Sequence, residues 1–149
     1  MRIWHFELLP YLPDLQFKGQ LRELVAIMHD WKNLGKTNHL LINRIMNYPK
    51  SELYIYFKLY SDIYKDRYNK IINKKYNDEF ENFKKGSEIL YPENGTLFEG
   101  WHNKEYLRVC MSNLYEKYKF GIGKSKITDK EWNTLIKGYK NITGENYII

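Results

Sequence analysis

The sequence is poor in cysteine and lacks long apolar runs. Cys110 is the only cysteine among 149 residues, which excludes an internal disulfide framework and a zinc site built from cysteines. A reducing compartment suits such a chain. There is no run of 18 apolar residues and no apolar leader near the start. We therefore expect a cytoplasmic protein with no membrane partner.

Arginine is also scarce, although the chain is basic. Only five arginines accompany the lysines, and the formal net charge is +6. This charge favours an anionic partner such as nucleic acid, although a merely lysine-rich cytosolic protein would share it. The aromatic share of 17% excludes a disordered polyampholyte. The length predicts a single domain over residues 1–149.

Apolar residues recur at helical spacing along most of the chain, and no strand-length run alternates cleanly. The expected fold is all-α, a compact helical bundle with a long N-terminal segment and irregular loops. We expect the polar segment 73–101 to contribute to function or to pack as a lid. The predicted helices span residues 15–31, 37–47, 52–72, 78–85, 104–119 and 128–139, the last opened by a capping box from Thr128 to Glu131.

Two kinds of site that the sequence suggests at first sight, a phosphate-binding loop and a metal site, are not supported by its residue spacing. Gly123-Lys124-Ser125 resembles the end of a phosphate-binding loop, but Tyr118 stands where that motif needs glycine and no strand precedes it. A contact between this basic loop and a nucleic-acid backbone stays open. The four histidines have no metal-ligand spacing, and Cys110 lies on an apolar helix face, which predicts a core thiol.

Arg22 and Glu23 lie at the edge of the apolar stripe of the first predicted helix, one turn after Gly19. A helix glycine costs about 1 kcal/mol relative to alanine, so Gly19 can mark a place of close approach. Taken alone, the Arg22-Glu23 pair is better explained as part of an ordinary solvated helix face.

The order of several short motifs adds a family resemblance. Met1-Arg2-Ile3 followed by Leu21-Arg22-Glu23-Leu24 resembles the phage-type pyrimidine-dimer DNA glycosylases, which also have AP lyase activity. The sequence is most similar to a bacterial branch that starts Met-Arg-Leu-Trp-His. The resemblance covers about residues 1–70, so residues 1–72 form the family-like half and residues 73–149 the less certain half. Further matching motifs are Pro10 to Pro13, Gly19-Gln20, Gly35-Lys36, Tyr48-Pro49 and Leu53-Tyr54.

The resemblance implies an N-terminal α-amine as nucleophile and no metal or organic cofactor. The family exposes a threonine amine, whereas here the bulky Arg2 should keep Met1 in place, so Met1 is expected to take over this role. Glu23 matches the catalytic glutamate, and Arg22 matches an arginine that contacts the DNA backbone and organises the site. The implied partner is double-stranded DNA with base damage, and no obligate protein partner is evident.

The expected DNA contacts extend beyond the catalytic residues. Arg2 matches the arginine next to the nucleophile, and His5 is interpreted either as a ligand for phosphate or water or as a packing residue. The remaining expected DNA-binding residues are Lys36, Lys124 and Lys126. The function implied is a DNA-repair glycosylase and AP lyase that forms a Schiff base and acts on pyrimidine dimers or related lesions. The alternatives are a non-catalytic nucleic-acid-binding protein on the same scaffold and a structural or protein-interaction role.

Overall fold

A computed structural model describes residues 1–87 and 95–149. Within these two ranges the chain forms helices and connecting loops and contains no β-strand, which confirms the all-α prediction. Residues 88–94 lie outside the described residues, so the lid predicted for residues 73–101 stays a prediction. No helix in the described ranges is long and apolar enough to cross a membrane.

The structure contains α-helices and short 3-10 helices in the described ranges. The 3-10 helices are Phe6–Tyr11, Ile42–Asn47 and Gly123–Ser125. The α-helices are α1 (Asp14–Leu34), α2 (Lys50–Tyr68), α3 (Lys74–Phe83), α4 (Lys104–Phe120) and α5 (Asp129–Thr143).

The helix predicted for residues 37–47 is wrong over its first half. Only Ile42–Asn47 is helical, and it is a 3-10 helix. The Asn43 side chain bonds to the backbone of Thr37, and the Thr37 hydroxyl bonds to the backbone of His39. Such bonds offer the backbone an alternative to helical hydrogen bonds.

Helix α2 is displaced from the predicted range of 52–72. It begins at Lys50, with Pro49 as its N-cap. It ends at Tyr68 because Asn69 adopts a left-handed conformation with φ of 53°. Ile71, inside the predicted range, lies beyond the end of the helix and is 75% exposed. Helix α3 begins earlier than predicted because the Asn73 side chain accepts a hydrogen bond from the Lys75 N–H at 2.9 Å.

The described residues divide into two compact units. The first unit comprises residues 1–3 and 20–98. In this unit the rings of Phe57 and Phe80 stack 3.9 Å apart, and both side chains are fully buried. The Trp31 ring meets Phe83 edge-on. Because these aromatic contacts join α1, α2 and α3, the unit has a core of its own.

The second unit comprises residues 4–19 and 99–149. The Tyr11 ring covers Gly138 so closely that an added Cβ would lie 2.4 Å from it. Cys110 is fully buried, as expected for a core thiol. The capping box of Thr128 and Glu131 is present, which confirms that prediction. The prediction of a single domain over residues 1–149 stays a prediction.

Candidate active site

The start of the chain is bound to α1 through one carboxylate. The backbone N–H of Arg2 donates a hydrogen bond to Glu23 Oε2 at 3.2 Å. Ile3 is fully buried, whereas the Met1 side chain is 44% exposed. The segment is therefore anchored at its second and third residues and reaches solvent at its first.

Gln20 is the second link between this segment and α1. Its Nε2 donates to the Arg2 carbonyl oxygen at 2.9 Å and to Glu23 Oε2 at 3.3 Å. Gln20 and Glu23 are three residues apart and therefore share one face of the helix. The side chain is completely buried, so its hydrogen bonds are shielded from competition with water.

Tyr56 of α2 fixes the orientation of the Gln20 amide. The Tyr56 hydroxyl bonds to Gln20 Oε1 at 3.0 Å, and both side chains are fully buried. The carbonyl oxygen of Arg2 can only accept a hydrogen bond, so the amide nitrogen of Gln20 has to face it. The amide oxygen then faces Tyr56, whose hydroxyl donates to it. The result is a chain of hydrogen bonds from Tyr56 through Gln20 to Arg2 and Glu23.

This arrangement limits the distance between the α-amine and Glu23. The Met1 nitrogen is separated from the Arg2 nitrogen by three covalent bonds, which keeps the two atoms within about 4 Å. Glu23 Oε2 therefore lies within about 7 Å of the amine, close enough to reach a sugar bound between them. Glu23 itself is half-buried.

The predicted basic residues differ in exposure. Arg22 and Lys36 are exposed, and Arg2 is half-buried. Neither Arg22 nor Lys36 forms an ion pair with any residue in the described ranges. Arg22 directly precedes Glu23 in the sequence. Because its guanidinium is exposed and unpaired within the described ranges, it is available to a phosphate.

His5 lies in a stack of aromatic rings in the second unit. Its ring is 5.3 Å from that of His102, and both residues are only 2% exposed. Burial lowers the pKa of His5 to about 4, opposed in part by a hydrogen bond to the His102 backbone. A neutral, buried ring fits the packing interpretation better than a phosphate contact. Sequence reasoning missed His102, although two Trp-His pairs, at Trp4-His5 and Trp101-His102, were a visible signal.

Lys124 and Lys126 lie in the loop between α4 and α5, and both are exposed. The Lys126 ammonium donates to the Tyr118 carbonyl oxygen at 3.0 Å, so it is partly engaged by its own loop.

The predicted site residues are divided between the two units. Met1, Arg2, Arg22, Glu23 and Lys36 belong to the first unit, and His5, Lys124 and Lys126 belong to the second.

The donor set does not suggest a metal. Nowhere in residues 1–87 and 95–149 do three His, Cys, Asp or Glu side chains come together as a metal-binding group. The chemistry that these residues offer is that of an amine, a carboxylate and cationic side chains.

Comparison with known proteins identifies the family of the N-terminal half of the chain. The family model for pyrimidine dimer DNA glycosylases matches residues 1–76, slightly more than half of the chain. No curated protein and no solved structure matches it. The matched range includes the Arg2–Glu23 contact as well as Gln20 and Tyr56. The chain belongs to the pyrimidine dimer DNA glycosylase family.

Proposed function

We propose that this protein is a DNA glycosylase with AP lyase activity that acts on pyrimidine dimers through the α-amine of Met1. The observation that carries the proposal is the hydrogen bond between the Arg2 N–H and Glu23 Oε2 at 3.2 Å. It holds a carboxylate next to the first peptide bond of the chain, where an N-terminal nucleophile requires one.

An α-amine is a suitable nucleophile for this reaction. As a class, α-amines have a pKa of about 8, against about 10.4 for lysine side chains, so more of the neutral form exists at cellular pH. The neutral amine bonds to the sugar C1′ while the glycosidic C–N bond breaks and the base leaves with its electrons. One proton of the attached nitrogen moves to the ring oxygen as the sugar ring opens, and the nitrogen keeps the other in a protonated Schiff base on Met1.

Glu23 has two roles in this scheme. Its negative charge stabilises the cationic Schiff base. It also accepts the C2′ proton, which converts the iminium into an enamine whose electrons expel the 3′ phosphate. These steps need no metal or organic cofactor.

Gln20 and Tyr56 are positioning residues in this proposal. Gln20 bonds to both the Arg2 carbonyl and Glu23, and Tyr56 prevents the Gln20 amide from rotating. The amine and the carboxylate are then held in one geometry before the substrate arrives. Such preorganisation lowers the entropic cost of reaching the transition state.

The cationic side chains bind the DNA backbone. Arg22 and Arg2 contact phosphates next to the reacting sugar, and the exposed Lys36 contacts the same duplex farther along. Lys124 and Lys126 add contacts from the second unit, while His5 supports its own unit by packing. Since a dimer is enclosed in the stacked duplex, the enzyme has to distort the DNA and extrude a base.

A non-catalytic DNA-binding protein on this scaffold is the second candidate, because methionine stands where the family has threonine. Nicking of supercoiled plasmid separates the two, with ultraviolet-irradiated, abasic and undamaged forms compared. We expect nicking of the irradiated and abasic plasmids only. Binding without nicking of either would assign the protein to the second candidate.

A further inference from the structure

Two adjacent leucines project into solvent from the segment that follows α1. Leu40 and Leu41 are 86% and 89% exposed. Single exposed apolar residues are common on protein surfaces, but two neighbours exposed to this degree form an apolar tip. We refer to residues 35–41 as the Leu40–Leu41 loop.

The loop that carries these leucines is fixed by hydrogen bonds. The Thr37 N–H donates to Asn43 Oδ1 at 2.7 Å, and Asn43 Nδ2 donates to the Thr37 carbonyl at 3.1 Å. The His39 N–H donates to the Thr37 hydroxyl at 3.0 Å, and Thr37 is only 4% exposed. The leucines are thus presented on an ordered scaffold, which reduces the entropy lost on binding.

All charged residues in the sequence around the two leucines are basic. Residues 31–51 contain no Asp or Glu but carry four cations, Lys32, Lys36, Arg44 and Lys50. Cations around the tip favour binding to a polyanion, and the apolar tip itself favours a partner with an apolar interior. Duplex DNA offers both, because phosphates line its surface and leucine side chains can insert between its base pairs.

We propose that Leu40 and Leu41 insert at a base step of the substrate duplex and kink it, while Lys36 holds a flanking phosphate. This inference rests on the proposed DNA substrate but not on the Met1 chemistry. Such an insertion partly unstacks the duplex at the inserted step.

The length of α1 indicates where the kink should fall. Eleven residues separate Glu23 from Leu34, the last residue of α1, and this corresponds to about 16 Å of helix. For α1 lying along the duplex axis, that is about five base steps at 3.4 Å per step. The inserted leucines are therefore expected several base pairs away from the reacting sugar.

The test uses binding without catalysis. A duplex carries one tetrahydrofuran abasic analogue, which has no C1′ hydroxyl and cannot form a Schiff base. The fluorescent base 2-aminopurine is placed in turn at each of the seven positions on either side. Full-length protein with Leu40→Ala and Leu41→Ala is compared with the wild type. The matched control is Ile148→Ala with Ile149→Ala, an adjacent apolar pair that is 73% and 76% exposed.

We expect 2-aminopurine fluorescence to rise at one position about five steps from the analogue with the wild type and the control. The leucine variant should lose this rise and bind about tenfold more weakly, with an unchanged salt dependence. Equal fluorescence for all three proteins would overturn the proposal. So would a leucine-dependent affinity for anionic vesicles, or leucine-dependent self-association, without any fluorescence change. A protein that shows the kink but cannot cleave would refute only the proposed chemistry.

Discussion

Glu23 accepts a hydrogen bond from the backbone of Arg2 although the two residues are 21 positions apart in the chain. The contact brings the N-terminal segment onto α1 and is reinforced by Gln20, which bonds to both residues. One carboxylate thus anchors the start of the chain and lies beside the proposed nucleophile. A change at Glu23 that keeps this hydrogen bond should therefore affect chemistry more than folding.

Glu23→Gln should abolish most of the cleavage while retaining the fold. Glutamine can still accept the Arg2 hydrogen bond, but it cannot take up the C2′ proton or stabilise a cation as a charge does. We expect the single-turnover rate on abasic DNA to fall at least about 100-fold. Glu116→Gln, at an exposed carboxylate of α4, makes the same charge change and should leave the rate unaltered. Equal rates for the wild type and Glu23→Gln would exclude the role assigned to Glu23.

Tyr56→Phe should lower kcat more than it raises KM. The change removes the hydroxyl that orients Gln20 and leaves a buried amide oxygen without that donor, which should also cost about 1–3 kcal/mol of folding stability. Tyr54→Phe on the same helix is the matched control, because its hydroxyl bonds to Glu81 and not to Gln20. A loss of stability without any loss of kcat would reduce Tyr56 to a structural role.

Arg22→Ala and Lys36→Ala should each weaken the salt dependence of DNA binding. Each phosphate contact that is lost should reduce the slope of log K against log salt by about one. Binding titrations at several salt concentrations measure this slope. Lys104→Ala, which removes a cation paired with Glu145, is the control and should leave the slope as it is. An unchanged slope in both test variants would place the DNA on another face.

Folding stability should decrease as the pH falls from about 6.5 towards 4. The pKa of His5 is lowered from 6.5 to about 4 by burial, so in this range the unfolded chain binds a proton that the folded chain does not. The stability is fully present above pH 6.5, and the loss can reach about 3 kcal/mol. Urea unfolding of His5→Gln should show a flatter pH dependence than the wild type between pH 6.5 and 5. His39→Gln, at an exposed site, should not, and identical curves for His5→Gln and the wild type would contradict this account.

The sequence predicted those features whose signals are local. Helix α4 and the capping box at Thr128 follow from periodicity and from the spacing of a few residues. The segment before Ile42 was mispredicted as helical because Leu41 and Ile45 are one helical turn apart, and the competing bonds of Thr37 and Asn43 cannot be read from a pattern of apolar residues.

The site was predicted in part for the same reason. Arg2 and Glu23 were found through the family resemblance, since their motifs are short and lie near the start. Tyr56 was not predicted as part of the site, because its hydrogen bond to Gln20 spans 36 residues and leaves no local trace. The pairing of His5 with His102 was missed because the two lie 97 positions apart.

Borohydride trapping on a duplex with one abasic site tests the central claim most directly. The protein needs a native, untagged N-terminus, because the reduced Schiff base becomes a covalent adduct that peptide mapping can locate. We expect the adduct on Met1, its loss when residues are added before Met1, and its weakening in Glu23→Gln. Tight DNA binding without an adduct, or an adduct on a lysine, would contradict the assignment of the Met1 amine as the nucleophile.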